Sequence, residues 1–273
     1  MTRPIMALSD AVAEHVQDGT SVYLGNFGAQ LFSVGHELIR QGRHDLDLVV
    51  ASGGLLVDQL LGAGCARSAT FGHCWSPVGP SPAWNFRRLA ESGDESVRIA
   101  ELSLGLMTAA LTAGAWGVPF MPFPGLEETG YVTEDWTDGA VAHASTPFGD
   151  NLVVRALAPD VAFVHVDRCD RDGNGWINGP LGEVALAAHA ASTVVMVAEE
   201  LVDAADVRAR GISIPGVLVS AITVVPGAVA PDGAIDRYDR DVAAYESYVA
   251  EAATPEGFAR WAAGVRAGSG AGA

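Results

Sequence analysis

The sequence predicts an α/β fold: an open, mostly parallel sheet with helices on both faces and a helical C-terminal tail. Three observations carry this. Runs such as Val161-Ala162-Phe163-Val164 and Val194-Val195-Met196-Val197 are apolar without polar alternation, the mark of strands covered on both faces. Stretches of helical period separate these runs. Glycine turns follow the strand ends, as in Gly25-Asn26-Phe27-Gly28 and Ser52-Gly53-Gly54. In such a sheet, ligands sit outside the carboxyl ends of the strands.

Taken in order, residues 7–17 carry Leu8, Ala11, Val12, His15 and Val16 at helical spacing, and Asp18-Gly19 stops the pattern. A short buried strand, Ser21-Val22-Tyr23-Leu24, then enters the glycine turn. Residues 32–40 read as an amphipathic helix with Gly42 beyond its end. Residues 47–51 and 69–72 read as strands on either side of a short helix at 57–61. Residues 75–82 are too proline-rich for regular structure. A helix at 83–91, a strand at 97–100 and an Ala-rich helix at 103–116 follow. Residues 118–124 read as an extended segment or edge strand, and residues 125–150 as a long excursion. The expectation is then a short helix at 151–158, strands at 161–166 and 193–198, a helix at 183–191 between them, and a last strand within 217–225. Two tail helices split at Thr254-Pro255. Residues 1–266 are expected to form one domain, with 267–273 a disordered tail.

The chain has 273 residues, 49% hydrophobic and 18% charged, which marks it as globular. Sixteen Lys and Arg against 33 Asp and Glu give a net charge of -17, an unsuitable balance for nucleic acid or an anionic membrane as main partner. Three scattered cysteines make no disulfide framework or zinc knuckle and suit a reducing compartment. The N-terminal residues lack an apolar stretch of signal-peptide length, and no apolar run reaches membrane-spanning length. A cytoplasmic location is expected.

Most familiar site motifs are missing. There is no Gly-x-x-x-x-Gly-Lys phosphate loop, no dinucleotide fingerprint and no Gly-x-Ser-x-Gly elbow. The cluster at 167–179 fails as a calcium loop: with Gly173 sixth, Arg168 and Gly179 fall where carboxylates are required. His73, His143, His165 and His189 lack metal spacing and read as structural. Two carboxylate pairs remain. Glu127-Glu128 reads as a solvated loop or a place for a base. Glu199-Glu200 reads as a helix start or an active-site pair at a strand end.

Several segments in order resemble the α subunit of the family I coenzyme A transferases, in the glutaconate-type branch. Asp18-Gly19, a strand and Gly25-Asn26-Phe27 are similar to its Asp-Gly, strand, Gly-Gly-Phe signature. Arg87-Arg88 with Glu91 and Gly93 resembles its basic helix, and 117–122 its Gly-Leu-Pro-Phe-Leu-Pro. Asp170 to Asn174, an Ala-rich helix, a strand and Glu199-Glu200 follow the family order. Ile214-Pro215-Gly216 and Pro226-Gly227 resemble a late segment. The likeness runs from about Ala7 to Phe258.

The resemblance implies a fold shared with sugar-phosphate isomerases and a β-subunit partner, in a heterodimer or higher heteromer. In the family that partner supplies a glutamate within Ser-Glu-Asn-Gly. The glutamate attacks an acyl-CoA, forms an acyl anhydride and then a glutamyl-CoA thioester, and passes CoA to a carboxylic acid. This chain contains no Ser-Glu-Asn-Gly. Coenzyme A is then a substrate, no cofactor is permanently bound, and no metal is expected. The implied substrate-binding residues are Gly25, Asn26, Phe27, Gly28, Ser52, Gly53, Gly54, Ser76 and Pro77. Asn26 stands where the family has a second glycine, and Leu31 and Ser33 replace its later Gly and Pro. The ring-opening hydrolases of steroid catabolism resemble the chain too. Their base glutamate corresponds to Leu104 here, with Ser103 beside it and Glu101 three residues before. In a hydrolase reading, acyl-CoA or carbon–carbon cleavage would draw on Glu101, Glu127 or Glu128. A third reading, a non-catalytic ligand-sensing module, lacks a DNA-binding helix-turn-helix and a basic patch.

Overall fold

The structure is a computed structural model and describes residues 2–26, 29–126, 129–134 and 136–268. The first half runs α1 (Leu8–His15), β1 (Ser21–Tyr23), the small hairpin β2 (Gly25–Asn26) and β3 (Ala29–Gln30), α2 (Phe32–Arg40), β4 (Leu46–Val50), α3 (Gly54–Gly62), β5 (Ala66–Phe71), α4 (Trp84–Ser92) and β6 (Arg98–Glu101). Next come α5 (Leu104–Trp116), β7 (Phe120–Pro122), α6 (Gly130–Thr133), β8 (Val141–Thr146) and β9 (Gly149–Arg155). The second half runs β10 (Val161–Cys169), β11 (Gly175–Trp176), α7 (Val184–Ala190), β12 (Thr193–Leu201), α8 (Ala204–Arg210), β13 (Ala221–Val224), α9 (Val242–Ala252) and α10 (Pro255–Arg266). Of the expected tail, residues 269–273 lie outside the described residues.

The main sheet has the order β13-β12-β10-β1-β4-β5-β6, and every pairing along it is parallel. Only β11 adds an antiparallel pairing, on β10. Alternate residues of each strand feed opposite cores. Val22, Leu48, Phe163 and Val195 join α2, α3, α9 and α10 on one face. Tyr23, Val49, Val164 and Met196 join α5 and α7 on the other. Both faces are therefore dry, which is why the strand sequences are continuously apolar.

The chain builds outward from β1 through β4 and β5 to β6, then returns to place β10 on the other side of β1. The strand order reverses between β1 and β10. At such a point the connections on either side depart in opposite directions and leave a crevice at the strands' carboxyl ends.

Three expectations are corrected. Residues 151–158 are not a helix. Residues 151–155 belong to β9, paired on one edge with β7 and on the other with β8, and 156–158 follow its end. The β-branched pair Val153-Val154 favours the pleated surface. The excursion 125–150 holds α6, β8 and the start of β9, so a three-stranded antiparallel sheet stands beside the main one. Glu199-Glu200 is not a helix start but the end of β12. Helix α8 has no counterpart in the sequence reading, and α3 begins earlier than expected, at Gly54. Among the described residues, no helix is long and apolar enough to cross a membrane. Cys65, Cys74 and Cys169 are free thiols.

Candidate active-site cleft

The crevice between β1 and β10 opens into a cleft of about 960 Å³. Its walls come from Asn26 at the β2–β3 hairpin, His165 and Asp167 on β10, the 177–183 loop and the 233–240 segment. Each wall is held by a specific polar contact.

Glu199 on β12 is the main tie. It is buried, and four donors converge on it. Oε1 accepts from Tyr238 Oη at 2.6 Å and from Ala228 N at 3.2 Å, while Oε2 accepts from Gly227 N at 2.7 Å. His165 Nε2 lies 3.0 Å from Oε1. An ionised carboxylate only accepts, so Nε2 carries the proton. Burial works against ionisation of Glu199. The bonds from His165, Tyr238 and Gly227 outweigh it and hold the carboxyl below its ordinary range. Burial and the same carboxylate push the Tyr238 hydroxyl up.

Asp167 is the second tie. Its Oδ2 accepts from Asn178 N at 2.6 Å, and Oδ1 lies 3.3 Å from Arg237 Nε. Arg237 also donates to the Asp167 carbonyl at 2.7 Å and to Glu200 Oε2 at 3.2 Å. Asn26 is the third. Its Nδ2 donates to the Leu181 carbonyl at 3.2 Å and so braces the hairpin against the loop before α7. Gly182 has φ +50, and a Cβ there would overlap Asn26 Nδ2. The loop can approach the hairpin only because that residue is glycine.

A small notch opens beside the cleft, with a volume of about 10 Å³. Ser52 Oγ lies 2.8 Å from His73 Nε2 at its wall, and the Trp75 ring packs 4.9 Å from the His73 ring. Burial lowers the pKa of His73, which favours the neutral imidazole.

The residues expected at the site divide between these two places. Asn26 lines the cleft, while Ser52, Gly54 and Pro77 line the notch. Gly25 has φ +104 and lies against the Ala29 carbonyl, where a Cβ would overlap. Gly53 packs under the His73 carbonyl. Ser76 is buried and donates to Val78 O at 3.0 Å. Phe27, Gly28, Glu127 and Glu128 lie outside the described residues. Glu101 ends β6 and is exposed, three strands from β1. At ordinary strand spacing that is roughly 14 Å from the crevice. Among the described residues, no group of three or more His, Cys, Asp or Glu could hold a metal ion.

The sequence reading does not reach the site roles of His165, Asp167, Glu183 and the 233–240 segment. His165 lacks metal spacing, but a histidine inside an otherwise apolar central strand is a usable signal. The dense charge of Asp236-Arg237-Tyr238-Asp239-Arg240 is another.

Comparison with known proteins bears on the family and the fold. The profile of the Coenzyme A transferase family matches residues 5–224. The chain is 33% identical to the α-type subunit of 3-oxoadipate CoA-transferase from Pseudomonas knackmussii, over 94% of this chain and 91% of that one. The corresponding subunit of glutaconate CoA-transferase from Acidaminococcus fermentans is 26% identical, over 93% and 85% of the two chains. The crystal structure of that transferase superposes with a TM-score of 0.85, covering 94% of this chain and 88% of that one at 24% identity. The decarboxylase AibA/AibB superposes with a TM-score of 0.81 at 26% identity, covering 95% and 98%.

Proposed function

Since the chain belongs to the coenzyme A transferase family, we propose that it is the α subunit of a heteromer that moves CoA from an acyl-CoA to a carboxylic acid. The nucleophile is a glutamate of the β subunit. The acyl group resembles the dicarboxylic acids for which the relatives are named, 3-oxoadipate and glutaconate.

One observation carries this reading: Asp167, Glu183 and Asp236 in the cleft, and Glu199 buried behind its wall, already accept hydrogen bonds. Glu199 and Asp167 are saturated as described above. Glu183 accepts from Thr108 Oγ1 at 2.9 Å, and Asp236 accepts from Asn178 Nδ2 at 3.1 Å. Asp239 is exposed at the rim. A carboxylate that attacks a thioester carbonyl must have a free lone pair and little hydrogen-bond stabilisation to lose. The walls suit the supporting role. Asn26, Gly179 and Gly182 line the cleft where an oxyanion would form.

In this reading Gly25, Asn26, Phe27 and Gly28 flank the acyl-transfer site, and Ser52, Gly53, Gly54, Ser76 and Pro77 shape the acid pocket. Coenzyme A enters and leaves as substrate, with no permanently bound cofactor. The working unit is one domain over residues 1–266 in the cytoplasm. The test is to assay the chain alone and with its co-encoded partner. Activity is expected only together; full transferase activity from this chain alone defeats the proposal.

The likeness to a decarboxylase of the same fold favours a second reading, carbon–carbon cleavage in a similar heteromer. Hydrolysis of an acyl-CoA is its close variant, with Glu101, Glu127 or Glu128 serving water. Product analysis separates these: carbon dioxide or free CoA formed without an acceptor acid selects the second reading.

A further inference from the structure

Two arginines line the cleft, and they are in different states. Arg237 is spent on Asp167, the Asp167 carbonyl and Glu200. Arg240 is not. Its Nε lies 3.3 Å from Asp232 Oδ1, an ion pair without a well-aligned hydrogen bond. Among the described residues, Asp232 is the only ion-pair partner of Arg240. The Nε atom is buried while the side chain as a whole is 35% exposed, so the exposure falls elsewhere on the side chain.

The guanidinium is also held in place from behind. Asp232 is buried and accepts from Tyr245 Oη at 2.7 Å. Tyr245 stands on α9, packed edge-on to Phe32 of α2 with ring centroids 6.0 Å apart. An arginine braced this way loses less rotamer freedom when it takes a ligand. Arg240 alone among the charged cationic side chains borders both the cleft and the notch. The notch has room for about one water-sized oxygen, and Ser52 and His73 stand at its wall.

Resting on the reading as a CoA transferase, we propose that Arg240 is the seat for the distal carboxylate of a dicarboxylic substrate. The carboxylate lies on the open Nη edge, with one oxygen toward the Ser52–His73 notch. The planar fork of a guanidinium matches a carboxylate in two parallel hydrogen bonds. The notch is small, so it takes the end of a molecule rather than its middle. The reacting carboxylate or thioester then projects back along the cleft toward the β1–β10 crevice. Arg240 is thus a specificity-determining residue, distant from the bond that changes.

The test uses the assembled heteromer with Arg240→Gln and Arg240→Lys. Acceptors are glutarate and adipate, compared with pentanoate and hexanoate. Arg240→Gln is expected to raise KM for the dicarboxylates about 10- to 100-fold, the loss of a charge-assisted pair. KM for the monocarboxylates and kcat at saturation should change little. Arg240→Lys keeps the ion pair with Asp232 but not the fork, and should fall between. A merely structural arginine would weaken both acid series equally, and that result overturns the proposal; no effect on either does so as well. Calorimetric binding of glutarate and of CoA to the same proteins separates the sources of negative charge. Weakened CoA with unchanged glutarate assigns Arg240 to phosphate and overturns the seat. Should the heteromer transfer CoA to no acid, the reading as a transferase fails while the glutarate titration still decides the seat.

Discussion

Glu199→Gln tests how the cleft is held together. The substitution keeps the shape of the side chain but turns one oxygen into an NH2 group. Placed at Oε2, the new amide opposes the N–H of Gly227, now 2.7 Å away as a donor. Placed at Oε1, it opposes the N–H of Ala228, and both Tyr238 and His165 must switch from donor to acceptor. The first placement costs less. It loses one charge-assisted bond, about 1.5–3 kcal/mol, and strands one buried N–H at about 1–3 kcal/mol. Relief of the burial penalty on the charge offsets part of this. The net is on the order of 2–4 kcal/mol, or roughly 4–8 °C in Tm for a chain of this size. The sign with pH follows. Glu199 ionises more readily folded than unfolded, so its stabilisation is complete above the unfolded value near about 4.3. It is lost as pH falls through the folded value. Chemical denaturation of the heteromer at pH 7 and at decreasing pH reads both effects. The gap between native protein and variant should be full at neutral pH and close in acid. A gap under about 0.5 kcal/mol at pH 7, or one that does not narrow in acid, refutes Glu199 as the tie.

Two further outcomes are expected. Asp58 on α3 is buried and accepts from Tyr248 Oη at 2.5 Å, Asn85 Nδ2 at 3.1 Å and Phe86 N at 2.8 Å, yet burial dominates and raises its pKa. Its sign is opposite to that of Glu199: the folded state loses stability as pH rises from the unfolded value to the folded one. Measured against Asp58→Asn, the native protein should therefore gain relative stability toward low pH, which denaturant titrations at pH 4 and pH 7 will show or deny. Asn26→Gly removes the brace to Leu181 and should cost about 1 kcal/mol while altering the relative kcat/KM for different acids. If rate and acid preference both stay unchanged, the hairpin is scaffold only.

The parts of the fold legible in the sequence are those where one local signal suffices. The α2 range follows from its apolar spacing, and the tail helices follow from Thr254-Pro255, where Thr254 caps α10 through its hydroxyl. The buried strands show as unbroken apolar runs because both faces of the sheet are covered. β9 escapes a local reading because Leu152-Val153-Val154 is short enough to suit either period. What decides it is pairing with β7 and β8, which is non-local. The site divides in the same way. The glycine turns and the Ser52 loop can be read as strand ends. The Glu199 hub cannot, since its donors come from residues 165, 227, 228 and 238 and meet only when β10, β12 and the late loop fold together.

This distribution of roles gives a physical reason for a second subunit. The carboxylates that fix the cleft walls are stabilised by the bonds that fix them, and stabilisation of that kind makes a poor nucleophile. One carboxylate cannot both anchor a wall and attack a thioester. In the transferase proposed above, a nucleophile from another chain would separate the two tasks. The mouth of the cleft is consistent with such a meeting. Leu104, Leu181 and Ile235 are 45%, 39% and 55% exposed around it, in a chain whose other large apolar side chains are mostly buried. Apolar rims of this sort favour a covered state. A partner seated there would bury them and exclude water from the crevice.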